Sequence, residues 1–402
     1  MAVNFDYNSG TGNAVITADP GTNSTLSISV SGGVLSLTLS GETWTKTGDG
    51  TWSYPGATLS GSSSQITGSL TVDLNNGTNV CNLKSSSFPI VFAPTAGTNT
   101  LNIGNVAPTL IGSTVSIGGS ITVSPTGGTT AVAIDNYSAT WGINTTVTNS
   151  SISNILSASG YSVNYSGTYI ASVRLVLNNS TASGREDTCT ISSTIAATTI
   201  DANGGVDTVY VRSNQHTLTI NSAAGNDLIV LGTTAGSSAG CDGITSALTI
   251  AGGAGNNTLR LDDTGSATGN KTITITPAAT QAGTATVTGL GSATISWTAS
   301  GGNMSGELRF DGSSIGGNTF VIAAEFLDNA AVYGNGSNNT LDVSALPAGW
   351  TDNGSSTITQ NNGKTITYSG VTVFPTASLN HYISKHKYSK INSTNMPNSL
   401  IN

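Results

Sequence analysis

Carboxylates placed behind small or Gly-rich turns are the most regular chemical groups in this sequence. Asp187, Asp207 and Asp227 recur at intervals of 20 residues, and Asn257 takes the same place 30 residues later. Other acids are scattered. Asp135, Asp242 and the adjacent Asp262 and Asp263 are the remaining candidates for acid/base work, with Arg212 and Arg260 as cationic partners. Glycosidic cleavage needs two carboxyl groups facing one bond across a substrate-sized gap. Neighbours in a turn, such as Asp262 and Asp263, point apart. There is no GxSxG, P-loop or Rossmann fingerprint. The three histidines (His216, His381, His386) have no metal-ligand spacing, and no CxxC occurs. These absences predict a protein that is not an enzyme.

Three cysteines, an odd number, make no disulfide framework. Cys81 and Cys189 fall where Leu or Val stands in other copies of a repeated phrase, and are read as small buried hydrophobes. Cys241 lies in the Gly-rich turn Ala239-Gly240-Cys241-Asp242-Gly243 and is the one thiol expected to be exposed and reactive.

The elements that position these groups are short strands. After each turn comes Asp or Asn and then x-Φ-x-Φ, with Φ apolar: Asp187-Thr188-Cys189-Thr190-Ile191, Asp207-Thr208-Val209-Tyr210-Val211, Asp227-Leu228-Ile229-Val230-Leu231 and Asn257-Thr258-Leu259-Arg260-Leu261. Two alternating apolar positions behind a turn residue describe a strand with one buried face. The phrase also stands at Asn79–Leu83, Asn99–Ile103, Asn318–Ile322 and Asn339–Val343. Repetition near 20 residues predicts stacked coils, each burying its apolar side chains against the next. The expected fold is therefore all-β, an elongated parallel β-solenoid with coils of about 20 residues. Roughly 15 coils at ~4.8 Å each give a body on the order of 70 Å long. Asp and Asn are then turn residues that tolerate left-handed backbone, and in register they stack into ladders along the body.

Residues 1–70 differ from the rest. Leu26–Val30 and Leu35–Leu39 alternate strictly around Ser31-Gly32-Gly33, a β-hairpin signature. With Trp44, Trp52 and Tyr54 close behind, this segment is expected to cap one end of the solenoid, which occupies 71–377. A tail, 378–402, is richer in Lys (Lys385, Lys387, Lys390). The phrase is blurred from 105 to 180, which leaves open whether that stretch belongs to the same solenoid. The Thr-x-Thr runs Thr272–Thr276 and Thr284–Thr288 are outward strand positions, too few for a flat hydroxyl face.

Two turns carry a family resemblance. Gly252-Gly253-Ala254-Gly255-Asn256-Asn257-Thr258-Leu259 and Gly204-Gly205-Val206-Asp207-Thr208-Val209 resemble the GGxGxDxUx nonapeptide of calcium-binding RTX (hemolysin-type) repeats. The resemblance implies calcium at Asp207 and Asp227. It is confined to isolated turns: RTX repeats run every nine residues, and Asn often replaces the ligating Asp here. More broadly, 185–375 is similar to the Gly/Asn/Asp-rich repeats of large bacterial surface and adhesin-like proteins, which implies extracellular or cell-surface display.

Composition narrows the partners. Only 8% of residues are charged, against about 25% in ordinary soluble proteins. A net charge of −8 offers no basic stripe for nucleic acid. No apolar run is long enough to span a membrane. Met1 to Asn13 lacks the regions of a secretory signal, so display outside the cell implies a leader beyond this sequence or an unconventional route. The expected function is a structural protein that associates with itself into a filament, sheath or surface layer, without a cofactor. The alternative is an adhesin or a module binding cell-surface polysaccharide through exposed aromatics Trp141, Trp350 and Tyr210. A polysaccharide-acting enzyme ranks behind both.

Overall fold

Alternating β-branched and hydroxyl residues leave the backbone little choice but extended strands, and the Gly and Asn between them turn it. The computed structural model describes residues 2–49, 51–54, 56–156, 160–232, 240–299 and 303–375. Among these there are 34 strands in two sheets, of 18 and 16 strands, one short 3-10 turn (Ser63–Gln65) and no α-helix. The tail at 378–402, with His381 and His386, lies outside the described residues.

Between 188 and 262 the chain alternates between the sheets. Strands Thr188–Ile191, Thr208–Val211, Leu228–Gly232 and Asn256–Asp262 pair in parallel in the first sheet. Strands Ala197–Asp201, Leu218–Asn221 and Leu248–Ala251 do the same in the second. Register follows the repeated phrase: Cys189 lies opposite Val209, Val209 opposite Ile229, and Ile229 opposite Leu259. The intervening set was less legible, because Ala197-Thr198-Thr199-Ile200 carries no Asp or Asn ahead of its apolar positions.

Copies of the phrase that form one series in the sequence divide between the sheets. Those at 79–83 and 99–103 lie in the second sheet, Cys81 opposite Leu101, as do those near 320 and 341, Phe320 opposite Leu341. The blurred stretch continues the pairing: Thr98–Ile103 joins Thr129–Asp135, then Ile170–Val176, then Ala197–Asp201, all parallel. Each sheet reverses locally within its parallel run, and the first does so again at Thr351–Asp352, Thr357–Thr359 and Thr365–Ser369. In the first, Asn144–Val147, Ser151–Leu156 and Tyr161–Tyr165 are antiparallel neighbours. In the second, Thr272–Pro277, Ala285–Thr288 and Ile295–Thr298 are. The two Thr-rich runs are thus direct neighbours, Thr274 opposite Thr288.

The hairpin Thr25–Ser31/Val34–Ser40 forms as its sequence requires, with Gly32 and Gly33 at φ 56° and 78°, a backbone that L side chains disfavour. It joins the second sheet through parallel pairing of Thr25–Ser31 with Thr78–Leu83. Trp52 packs edge-on against Phe5 (4.8 Å) and Tyr7 (5.7 Å). Apolar side chains from both sheets make one continuous buried cluster running from Val3 to Val373.

Candidate functional site

The regularly spaced Asp and Asn side chains turn inward and link successive turns. Asp187 N–H donates to Asp207 Oδ1 (2.9 Å), Asp207 N–H to Asp227 Oδ1 (2.9 Å), and Asp227 N–H to Asn257 Oδ1 (3.0 Å). At one end of the ladder, Ile143 and Asn178 N–H groups donate to the two oxygens of Asp187 (2.8 and 2.7 Å). The second sheet repeats the device with amides: Ser24 N–H donates to Asn79 Oδ1, Asn79 Nδ2 to Asn99 Oδ1, and Asn318 N–H to Asn339 Oδ1.

An Asn in this place satisfies both ends of its side chain, because Nδ2 donates to a carbonyl a few residues earlier: Asn79 to Asn75 O, Asn99 to Ala96 O, and the other three to the carbonyl five residues back. Asn257 reaches Gly252 O (2.6 Å), Asn318 reaches Ser313 O (3.3 Å), and Asn339 reaches Gly334 O (2.9 Å). An ionised Asp has no hydrogen to give. Asp207 and Asp227 are 1% and 2% exposed, and Oδ2 of each is buried without a hydrogen-bond partner. Burial, opposed by the amide of Asp187 and reinforced by the charges of Asp187, Asp227 and Glu186, pushes the Asp207 carboxyl up to about 7. Burial likewise raises Asp187 and Asp227 to about 6, against the amides that bond them.

This arrangement suits a ladder better than a cation. Calcium takes about six to eight oxygen ligands. Asp207 and Asp227 each offer one uncommitted oxygen from inside a closed turn, and no group of three or more His, Cys, Asp or Glu side chains among the described residues is placed to hold a metal ion. Two uncommitted carboxylate oxygens on separate turns are few against that number.

The scattered acids part company. Asp135 is buried and bonded by the Gly112 and Tyr137 amides. Asp262 accepts from Thr264 N–H (3.0 Å), Arg260 pairs with Glu307 (2.5 Å), and Arg212 is exposed. Asp242 and Asp263 instead converge on Lys271, whose Nζ lies 2.7 Å from Asp242 Oδ1 and 2.8 Å from Asp263 Oδ2. Sequence reasoning missed Lys271. The only available sign was a lone cation at the head of the apolar-alternating Thr272–Pro277 strand. A depression of about 210 Å³ lined by Glu307, Asp328, Asn329 and Lys364 is smaller than ordinary ligand sites, about 300–1,000 Å³.

Two expectations are corrected. Cys241 is fully buried, its Sγ against the carbonyls of Leu231 and Asp262, because the turn packs between strands rather than projecting from them. Burial pushes its thiol well up, and that of Cys81 up to about 12. Since the thiolate is the reactive form, a disulfide reagent should label none of the three cysteines in the native protein and all three after denaturation. Rapid native labelling of Cys241 would contradict that burial. Of the aromatics expected to be exposed, Trp350 is buried (7% exposed), while Trp141 and Tyr210 are partly exposed, Trp141 packing against the core.

A scan against protein-family models, a search of curated proteins and a search of solved structures each found no match to this chain.

Proposed function

We propose that the two stacked sheets are the faces of a parallel β-solenoid with coils of about 20 residues, and that the protein is an extracellular structural subunit associating end to end into a filament, sheath or surface layer. The observation that carries this reading is the state of the terminal strands. Among the described residues, Val371–Phe374 pairs only with Asn339–Asp342, and Thr43–Gly48 only with Ala2–Asn8. A strand bonded on one side presents a row of donors and acceptors to another chain. At the Val371–Phe374 end that edge carries Phe374, which is 56% exposed. In this reading the aromatic cluster around Trp52 closes the core at the other end, and the buried Asp/Asn ladders fix the register of the coils.

An adhesive, polysaccharide-binding module is the second possibility. It loses its main support with the burial of Trp350 and the partial burial of Trp141. In this reading assembly needs no calcium: the ladder carboxylates serve neighbouring backbone amides through Oδ1.

Negative-stain electron microscopy of the purified chain tests the proposal. Filaments or sheets that persist in EDTA are the expected result. Single rods about 70 Å long, at every concentration tried, would sink it. Assemblies that dissolve in EDTA would return calcium to Asp207 and Asp227.

A further inference from the structure

Lys271 is a buried ammonium group clamped between two carboxylates that come from different turns. Its side chain is 8% exposed, that of Asp263 0% and that of Asp242 37%. Nζ also donates to the Leu290 carbonyl (2.6 Å) and to Asp263 Oδ1 (3.0 Å). Asp263 Oδ2 lies 2.8 Å from Nζ yet outside hydrogen-bond alignment, so the amine addresses the whole carboxyl group rather than one lone pair. All three groups are held in place. Asp263 Oδ1 accepts from Cys241 N–H (2.8 Å), Asp242 Oδ2 from Ser266 Oγ (2.5 Å), and the backbone of Lys271 donates to Asn318 Oδ1 (3.2 Å).

We propose that Lys271 Nζ and Asp263 Cγ condense into an intramolecular amide cross-link, with Asp242 relaying the proton. Lys271 first passes one proton to the Asp263 carboxylate, giving a neutral amine and a carboxylic acid. The amine then attacks Cγ, forming the N–C bond, and a second proton from nitrogen passes to the Asp242 carboxylate. Asp242 then returns that proton to the departing Asp263 oxygen, the C–O bond breaks, and one water leaves. Ammonium plus carboxylate become amide plus water, so charge and electrons balance with no redox partner.

Three features favour the reaction. Fixed contact supplies the orientation that free amine and acid lack. Burial also disfavours the ion pair relative to a neutral product. The two acids are differentiated as well: burial pushes Asp263 up to about 6, whereas for Asp242 the hydrogen bonds from Lys271 and Ser266 outweigh burial and hold it below the usual range. Asp263 is therefore the carboxyl that takes up a proton and Asp242 the base. Burial lowers Lys271, but the two carboxylates outweigh it and favour the ammonium form. The reacting amine is thus a minor species and the condensation slow. A bond made once per molecule tolerates that. The product would tie the end of Asn256–Asp262 in the first sheet to the start of Thr272–Pro277 in the second.

Mass spectrometry of the denatured full chain decides the matter. The expected mass is lighter than the sequence by one water. Trypsin should leave Lys271 uncut and release residues 261–309 as one peptide carrying that deficit, since Arg309 is the next basic residue. The D242A and K271R variants should both regain the full mass. A wild-type chain of full mass, cut at Lys271, would show that the contact is an ion pair only. A deficit confined to peptide 213–260 would be a succinimide at Asp242-Gly243 and would equally overturn the proposal.

Discussion

Asp207→Asn should make the protein more stable, and the gain should be largest at alkaline pH. Asn keeps the Oδ1 acceptor that Asp187 N–H uses, and it adds the donor that Asn257, Asn318 and Asn339 send to the carbonyl five residues earlier. In the native protein the Asp207 carboxyl titrates at about 7, while an unfolded Asp titrates near 3.9. Between those values the folded state binds more protons than the unfolded state, so stability falls as pH rises and stays low above the folded value. A tenfold difference in proton affinity between the two states is worth about 1.4 kcal/mol. Removing the titration should therefore gain on the order of 2–4 kcal/mol at about pH 8 and far less at about pH 5. Asp227→Asn should act in the same direction with a smaller effect, since its carboxyl is raised only to about 6. Denaturant midpoints of wild type and variant at the two pH values check this. A variant less stable than wild type at the higher pH would mean that the Asp207 charge is wanted there, by a bound cation or a donor nearby.

Gly225→Ala should be among the most damaging single-methyl changes in the chain. Gly225 has φ 142°, and a Cβ built on it would sit 1.6 Å from the Gly205 carbonyl oxygen of the turn stacked beside it. The clash repeats one turn on, where a Cβ on Gly255 would lie 1.9 Å from Gly225 O. Backbone packs on backbone here, so nothing flexible can move aside. A non-glycine residue in this conformation costs on the order of 1–3 kcal/mol by itself, and separating the stacked turns adds to that. The expected loss is more than about 3 kcal/mol, read as a large drop in the unfolding midpoint or in soluble yield. Gly354→Ala is the control: φ is 77°, but nothing lies within 4 Å of the added methyl. It should cost only about 1 kcal/mol. Equal losses at the two positions would show that backbone conformation, and not close stacking, governs these turns.

Local patterns in the sequence were enough to place strands and turns. Alternation such as Val209/Val211 and Leu259/Leu261 needs only the period-2 geometry of an extended chain. Equal spacing between copies is sufficient to set Cys189 opposite Val209, and the hairpin at Gly32-Gly33 follows from turn chemistry. The role of Asp and Asn as ladder residues was legible for the same reason: a short polar side chain ahead of a strand, repeated in register, meets its own copy in the next turn.

Tertiary structure decided everything that depends on which turn lies beside which. Both sheets use the same phrase, so the sequence could not say that the copies near 81 and 101 stand in one sheet and those from 187 to 261 in the other. Burial of Cys241 and Trp350 depends on what packs over their turns, and Gly-rich composition reads as exposure when the covering strand is unknown. Lys271 meets Asp242 across 29 positions and Asp263 across eight. No periodicity encodes that encounter, because it is made by the local antiparallel reversal between Thr272 and Thr298, which breaks the regular order of pairing. Period and turn type are properties of a few consecutive residues and survive in any context. A side chain's charge state, exposure and partner belong to the space between elements, which only the folded chain defines.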